Sequence, residues 1–218
     1  MSMPPSPIPP RQHDGLELRD LACVRGRRPL FRGLNATLGP GQLLRVSGAN
    51  GAGKTSLLRM LCGLLAPAQG QVLWQGQNVH AVRESFHQQL VYLGHAAALK
   101  DELTPLENLQ VAARLGGMAP DEPAARQALA DAGLRGREQV PSRTLSQGQR
   151  RRAALARLPL GTALLWVLDE PFNALDTAAT AWLLGLIEAH LRRGGLVVLT
   201  SHQPVALSDS VAQVSVAL

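Results

Sequence analysis

The chain is poor in cysteine, lysine and aromatic residues, and it has no long apolar run. Two cysteines in 218 residues, Cys23 and Cys62, are too few for a disulfide framework and show no metal-ligand spacing. Their number fits a reducing, cytoplasmic setting, with both thiols packed as small core groups. Aromatics make up 3% of the chain (three Phe, one Tyr, three Trp), and none interleaves with a basic run. That argues against a stacking surface for single-stranded nucleic acid, and no nucleic-acid partner is expected. No stretch approaches the ~18 consecutive apolar residues of a membrane span. The longest candidate, Ala163 to Leu168, has the length of a strand. The opening MSMPPSPIPPR puts prolines where a secretion signal needs an apolar run, so no signal peptide is expected. Residues 1–14 are expected to form a flexible, proline-rich tail.

What is present is globular. Hydrophobic residues make up 45% and charged residues 17% of the chain, which excludes a disordered or collagen-like polymer. The length suits one or two domains with a sizeable core. The net charge is +6, and only Lys54 and Lys100 among the 22 basic residues are lysines. Such a balance fits nucleic acid, anionic lipid at a cytoplasmic membrane face, or a plain arginine bias. Short apolar runs at Leu16–Val24, Leu43–Ser47, Val72–Gln75, Leu90–Gly94, Leu164–Leu168 and Leu196–Thr200 read as strands. LLWVL and LVVLT suit central strands of a parallel sheet, buried on both faces. Helical spacing predicts helices over Thr55–Leu65, stopped by Pro67 and Gly70, and over Leu106–Leu115, Pro123–Ala132 and Thr177–Leu191. Strands alternating with helices predict an α/β layered fold, with a helical insert over roughly 95–158.

The sharpest local signal is GANGAGKT at 48–55. Gly48, Gly53, Lys54 and Thr55 match G-x-x-x-x-G-K-[ST]. Glycines let the backbone curl so that successive N–H groups point at a phosphate, and the helix that follows adds the positive end of its dipole. The candidate phosphate cradle is therefore Gly48, Ala49, Asn50, Gly51, Ala52, Gly53, Lys54, Thr55 and Ser56. Lys54 can reach the β- and γ-phosphates, and the Thr55 hydroxyl can hold Mg²⁺. A second signal is ALLWVLDE at 163–170. A buried strand delivers Asp169 to its carboxyl end as a second candidate for Mg²⁺. Glu170, one residue on, faces a different side and is placed to take a proton from an attacking water. That glutamate favours hydrolysis over transfer to a second substrate. No Asn precedes either lysine, so the N-K-x-D motif of common GTPases is absent.

LSQGQRRRAALAR at 145–157, together with the phosphate loop and LDEP at 168–171, resembles the ABC-transporter ATPase family. Leu145, Ser146, Gly148 and Gln149 fit its LSGGQ signature, and Gln147 replaces a glycine. Ser146 and Gln149 have the spacing of a capping box, so a helix start is predicted there. The resemblance implies an α/β P-loop NTPase fold: a RecA-like, mostly parallel sheet core, a small antiparallel part and a helical subdomain, forming one ABC nucleotide-binding domain over 15–218. It implies ATP and Mg²⁺ as ligands and a head-to-tail homodimer. In that dimer Ser146, Gly148 and Gln149 face the ATP of the other subunit, and Asp176 of the D-loop-like NALD reaches across. Thr200-Ser201-His202 resembles the switch histidine, with His202 on the γ-phosphate. His95 stands where the family usually has a glutamine near the metal. Arg25 stands near the place of an adenine-stacking aromatic, and a guanidinium plane can stack on a base. The phosphate loop, His95, Asp169, Glu170 and His202 each follow a predicted strand, so a parallel sheet gathers them at one edge.

Longer stretches, among them YLGHAAALKDELTPLENL and GGLVVLTSHQP, resemble ATP-binding subunits of the haem-exporter-type complex of cytochrome c biogenesis. His95 and Trp166 are shared with that group. The resemblance implies an energy-coupling ATPase, peripheral on the cytoplasmic face of a bacterial inner membrane. Its implied partners are an integral CcmB-like permease and further Ccm proteins. No histidine or cysteine pattern binds haem by inspection. Three other readings stay open: the ATPase of a different exporter, a non-transport ABC ATPase acting on DNA or ribosomes, and a P-loop nucleotide kinase.

Overall fold

The computed structural model describes residues 15–117, 121–202 and 204–218. The expected proline-rich tail lies outside the described residues. In chain order the strands are β1 (Leu16–Arg25), β2 (Arg28–Leu38), β3 (Leu43–Ser47), β4 (Gln69–Trp74), β5 (Gln77–Asn78), β6 (Leu90–Leu93), β7 (Leu165–Leu168), β8 (Leu196–Thr200) and β9 (Gln213–Ala217). The helices are α1 (Lys54–Leu61), α2 (Arg83–Gln88), α3 (Pro105–Leu115), α4 (Glu122–Asp131), α5 (Gln147–Leu155) and α6 (Thr177–Arg192).

Two sheets divide these strands. A parallel sheet runs β6-β7-β8-β3-β9, and an antiparallel sheet runs β2-β1-β4-β5. The strand period of two explains how the parallel sheet separates two cores. Leu44, Val46, Leu165, Val167 and Val198 face α1 and the antiparallel sheet, where they meet Leu57, Leu58, Leu61, Leu18 and Trp74. Leu43, Trp166, Leu168, Val197 and Leu199 face the other way, against Leu183, Ile187 and Leu191 of α6. Every residue of β7 and β8 is buried, as central parallel strands require. Each of these leucines and valines contributes about 1.5–3 kcal/mol by leaving water.

A third core holds the helical insert. Leu106 and Leu109 of α3 meet Ala125, Ala128 and Leu129 of α4 and Ala153 of α5. Thr104 starts α3 with a full capping box and Pro105 in its first turn, and Asp121 caps α4 by accepting from the Ala124 N–H at 2.8 Å.

Four elements went unpredicted. β2 and β9 are edge strands and β5 is two residues long; α2 is a helix of six residues. Only Leu38 of β2 and Val216 of β9 are buried, so neither carries the apolar run that marks a strand. α1 also ends earlier than expected. Gly63 adopts the left-handed conformation (φ 66°), and the Leu64 N–H closes back on the Arg59 carbonyl at 2.8 Å. That cap stops the helix before Pro67 or Gly70 can act.

Candidate functional site

The turn from β3 into α1 builds the first wall of the site. Gly48, Gly51 and Gly53 all have positive φ, and at Gly53 a Cβ would press on Leu30 and Phe31. α1 begins with no side-chain cap and no acidic residue in its first turn. Its first amides therefore stay free for an anion. Lys54 is buried, and its ammonium donates to the Gly48 carbonyl at 2.7 Å and the Ala49 carbonyl at 3.3 Å. The loop thus holds its lysine in place through its own backbone. Ala52 closes the turn by donating to the Ala49 carbonyl.

The second wall comes from the ends of β6, β7 and β8. Asp169 is buried, and its two carboxylate oxygens are shared out. Thr55 Oγ1 donates to one at 2.8 Å, and Thr200 Oγ1 donates to the other at 2.8 Å. The same Thr200 hydroxyl accepts from the Glu170 N–H at 2.7 Å. Glu170 has a left-handed backbone (φ 49°), a costly conformation for a residue with a Cβ. It turns the side chain away from Asp169, where its Oε1 lies 3.2 Å from His202 Nε2.

Between the walls lies a cavity of ≈ 550 Å³. Of the residues singled out from sequence, it is lined by Arg25, Ala49, Asn50, Gly51, Gly53, Lys54, Thr55, Ser56, His95, Asp169, Glu170 and His202. The two halves of the candidate site are thus one site. Arg28 and Leu30 also line it and carry no motif that would have flagged them; Asn173, the first residue of the NALD segment, lines it too. Ser146, Gly148, Gln149 and Asp176 do not line it. Ser146 and Gln149 form the predicted capping box at the exposed start of α5, and Asp176 caps α6. Gly148 packs on the chain itself, where a Cβ would stand 2.5 Å from the Ala174 carbonyl oxygen.

Arg151 belongs to the frame of the site and was not singled out from the sequence. It lies in the arginine run after the signature, which carries no motif of its own, yet it is buried. Its guanidinium donates to the carbonyls of Asp169 (2.6 Å), Gly94 (2.8 Å), Glu170 (3.0 Å), His95 (3.3 Å) and Pro171 (3.4 Å). Burial pulls its pKa down, and the nearby Asp169 and Glu170 charges oppose that shift.

The chemistry of the cavity is that of a polyphosphate site. Free helix amides and Lys54 suit phosphate oxygens. The Thr55 hydroxyl and Asp169 carboxylate are hard oxygen donors side by side, which fits Mg²⁺. His95 lines the same cavity.

Fold and cavity together define a P-loop nucleoside triphosphatase domain. The chain belongs to the ABC transporter family, whose pattern matches residues 31–173. It is 49% identical to the cytochrome c biogenesis ATP-binding export protein CcmA of Nitrosospira multiformis, over 91% of this chain and 96% of that protein. It is 56% identical to CcmA of Methylococcus capsulatus, over 84% of this chain and 88% of the other. Among solved structures, an ATP-binding protein assigned to the ABC transporters of Pyrococcus furiosus superposes with a TM-score of 0.79 at 26% identity. That superposition covers 92% of this chain and 96% of the other.

Proposed function

We propose that residues 15–218 act as one ATPase domain that powers a membrane export complex of cytochrome c biogenesis, the haem-exporter type. The reading rests on the hydrogen-bond chain Thr55–Asp169–Thr200–Glu170, which joins the phosphate cradle to the carboxylates in links of 2.7–2.8 Å. Two copies close head to tail over two ATP molecules. In each site the cradle amides and Lys54 hold the β- and γ-phosphates, and Arg25 lies under the base. Thr55 and Asp169 would hold Mg²⁺, with His95 lining the same cavity, and the ion would shield the phosphate charge. Glu170 takes a proton from a water as its oxygen bonds to the γ-phosphorus. The bond to the β-phosphate oxygen breaks, and ADP leaves with the electron pair. His202 and the partner's signature helix, through Ser146, Gly148 and Gln149, stabilise the γ-phosphate, with Asp176 crossing the interface. Separation of the products reopens the pair.

A CcmB-like permease is the proposed membrane partner, holding the ATPase at the cytoplasmic face of the inner membrane beside further Ccm proteins. Among the described residues, no helix is long and apolar enough to cross a membrane. A groove of ≈ 300 Å³ supports the docking, lined by Leu64, Leu90, Val91, Ala112 and Leu115, with Arg157 beside them. Leu64 and Leu115 are 51% and 85% exposed, an unusual outlay of apolar surface.

The Glu170→Gln chain tests the catalytic assignment. It should bind ATP and pair, while phosphate release falls about 10²–10⁴-fold, the usual range for a lost general base. Release at the wild-type rate would refute the assignment.

A further inference from the structure

Arg151 sits on the same helix that begins at Ser146, and it grips the backbone of the site rather than any substrate. Arg151 lies five positions along the helix from Ser146, a rise of roughly 7.5 Å. Ser146 is exposed at the tip of α5, and Arg151, at the middle of the helix, is 5% exposed. Among the described residues, its guanidinium has no carboxylate partner. It donates instead to Gly94 and His95 after β6, and to Asp169, Glu170 and Pro171 after β7. A buried guanidinium is costly unless its donors are satisfied. The two loops it satisfies carry three side chains of the cavity: His95, Asp169 and Glu170.

The Glu170 backbone is the telling case. Its peptide is held at both ends, the N–H on the Thr200 hydroxyl and the carbonyl on Arg151. Its φ of 49° persists because that surrounding overdetermines it. Moving the middle of α5 therefore moves the frame from which the Glu170 carboxylate is aimed.

We propose that Arg151 is a positioning residue that couples the two ATP sites of the pair. On the two-copy reading given above, the tip of α5 meets the partner's ATP while its middle, through Arg151, fixes the carboxylates of its own site. Closure over one nucleotide then sets the geometry for attack on the other. The planar fork is essential, because only a guanidinium spans both loops at once; a lysine ammonium reaches one.

The test uses the full chain with Arg151→Lys and Arg151→Gln. Four quantities are read: binding of a fluorescent ATP analogue, the kcat and KM of phosphate release, its Hill coefficient in ATP, and the thermal midpoint. A wild-type Hill coefficient above one is expected. In the lysine chain, nucleotide affinity should stay within twofold. Its kcat should fall at least tenfold and its Hill coefficient should drop to one. A cooperative wild type with unaffected variants overturns the coupling alone. So does a loss of binding that matches the loss of turnover. Failure of both variants to fold, or an activity loss no larger than that of an Ile187→Val chain of equal thermal loss, assigns Arg151 to the fold and overturns it too. A wild type with a Hill coefficient of one, whose Glu170→Gln form never pairs in ATP, overturns the two-copy reading itself.

Discussion

Thr200 does more at the site than its place at the end of a strand suggests. One hydroxyl donates to Asp169 and accepts from the Glu170 amide, so a single oxygen fixes the spacing of the two carboxylates. Thr200→Val keeps the shape and removes that oxygen. One Asp169 oxygen and the Glu170 N–H then lose their partner, while Thr55 still donates to the other oxygen, at a cost of about 1–3 kcal/mol. Urea unfolding should show that loss, and phosphate release should fall further than stability explains. His190 makes a separate residue-scale case. It stacks on Trp166 at 3.8 Å between centroids, and its Nε2 bonds the Leu164 carbonyl at 3.0 Å. Burial lowers its pKa below the ordinary 6.5, so the folded chain resists its protonation. The unfolded chain takes up that proton first as pH falls below about 6.5. Stability from His190 is therefore full above that pH and drains away below it, at up to about 1.4 kcal/mol per pH unit. Melting curves between pH 7.5 and 5 should slope down, and His190→Gln should flatten part of that slope. Equal slopes in the two chains would remove His190 from the account.

At the scale of elements, legibility follows burial. Strands with both faces covered advertise themselves as apolar runs, and β3, β7 and β8 all fell within their expected bounds to about a residue. The edge strands β2 and β9 bury one residue in five or fewer and hide among loops. The site divides in the same way. Lys54, Asp169, Glu170, His95 and His202 could be read because each follows a strand whose neighbours gather at one sheet edge. Arg151 and Thr200 could not, because they act through backbone carbonyls and a hydroxyl that only tertiary contact brings near. Gly148 belongs to both groups. The signature marks it as a nucleotide contact, yet its missing side chain also admits the Ala174 carbonyl, and Ala174 itself is left-handed (φ 62°). Gly148→Ala must push α5 away from the 172–176 loop. Turnover should fall at least tenfold, while the thermal midpoint moves by only a few degrees, about what a loss near 1 kcal/mol produces. A chain that keeps full turnover would show that the close contact is incidental.

The whole molecule sets a chemical edge against an apolar one. The phosphate cradle and carboxylates open at the carboxyl ends of the parallel strands, whereas the groove beside Leu64 and Leu115 runs between α1, β6 and α3. Leu115 is the extreme case: it closes α3 and leaves 85% of its surface in water, while Leu106 and Leu109 on the same helix are buried. A side chain so placed adds little to folding, because folding hardly takes it out of water. Its cost in solubility needs a return elsewhere, and a membrane partner that covers it supplies one. Leu115→Asp separates the two roles. The thermal midpoint should hold within a degree or two, and ATP hydrolysis by the isolated chain should match wild type, because the groove does not share a wall with the nucleotide cavity. Recovery of the chain with the membrane fraction, measured after expression beside its permease, should drop severalfold. Unchanged recovery would place the docking face elsewhere on the surface.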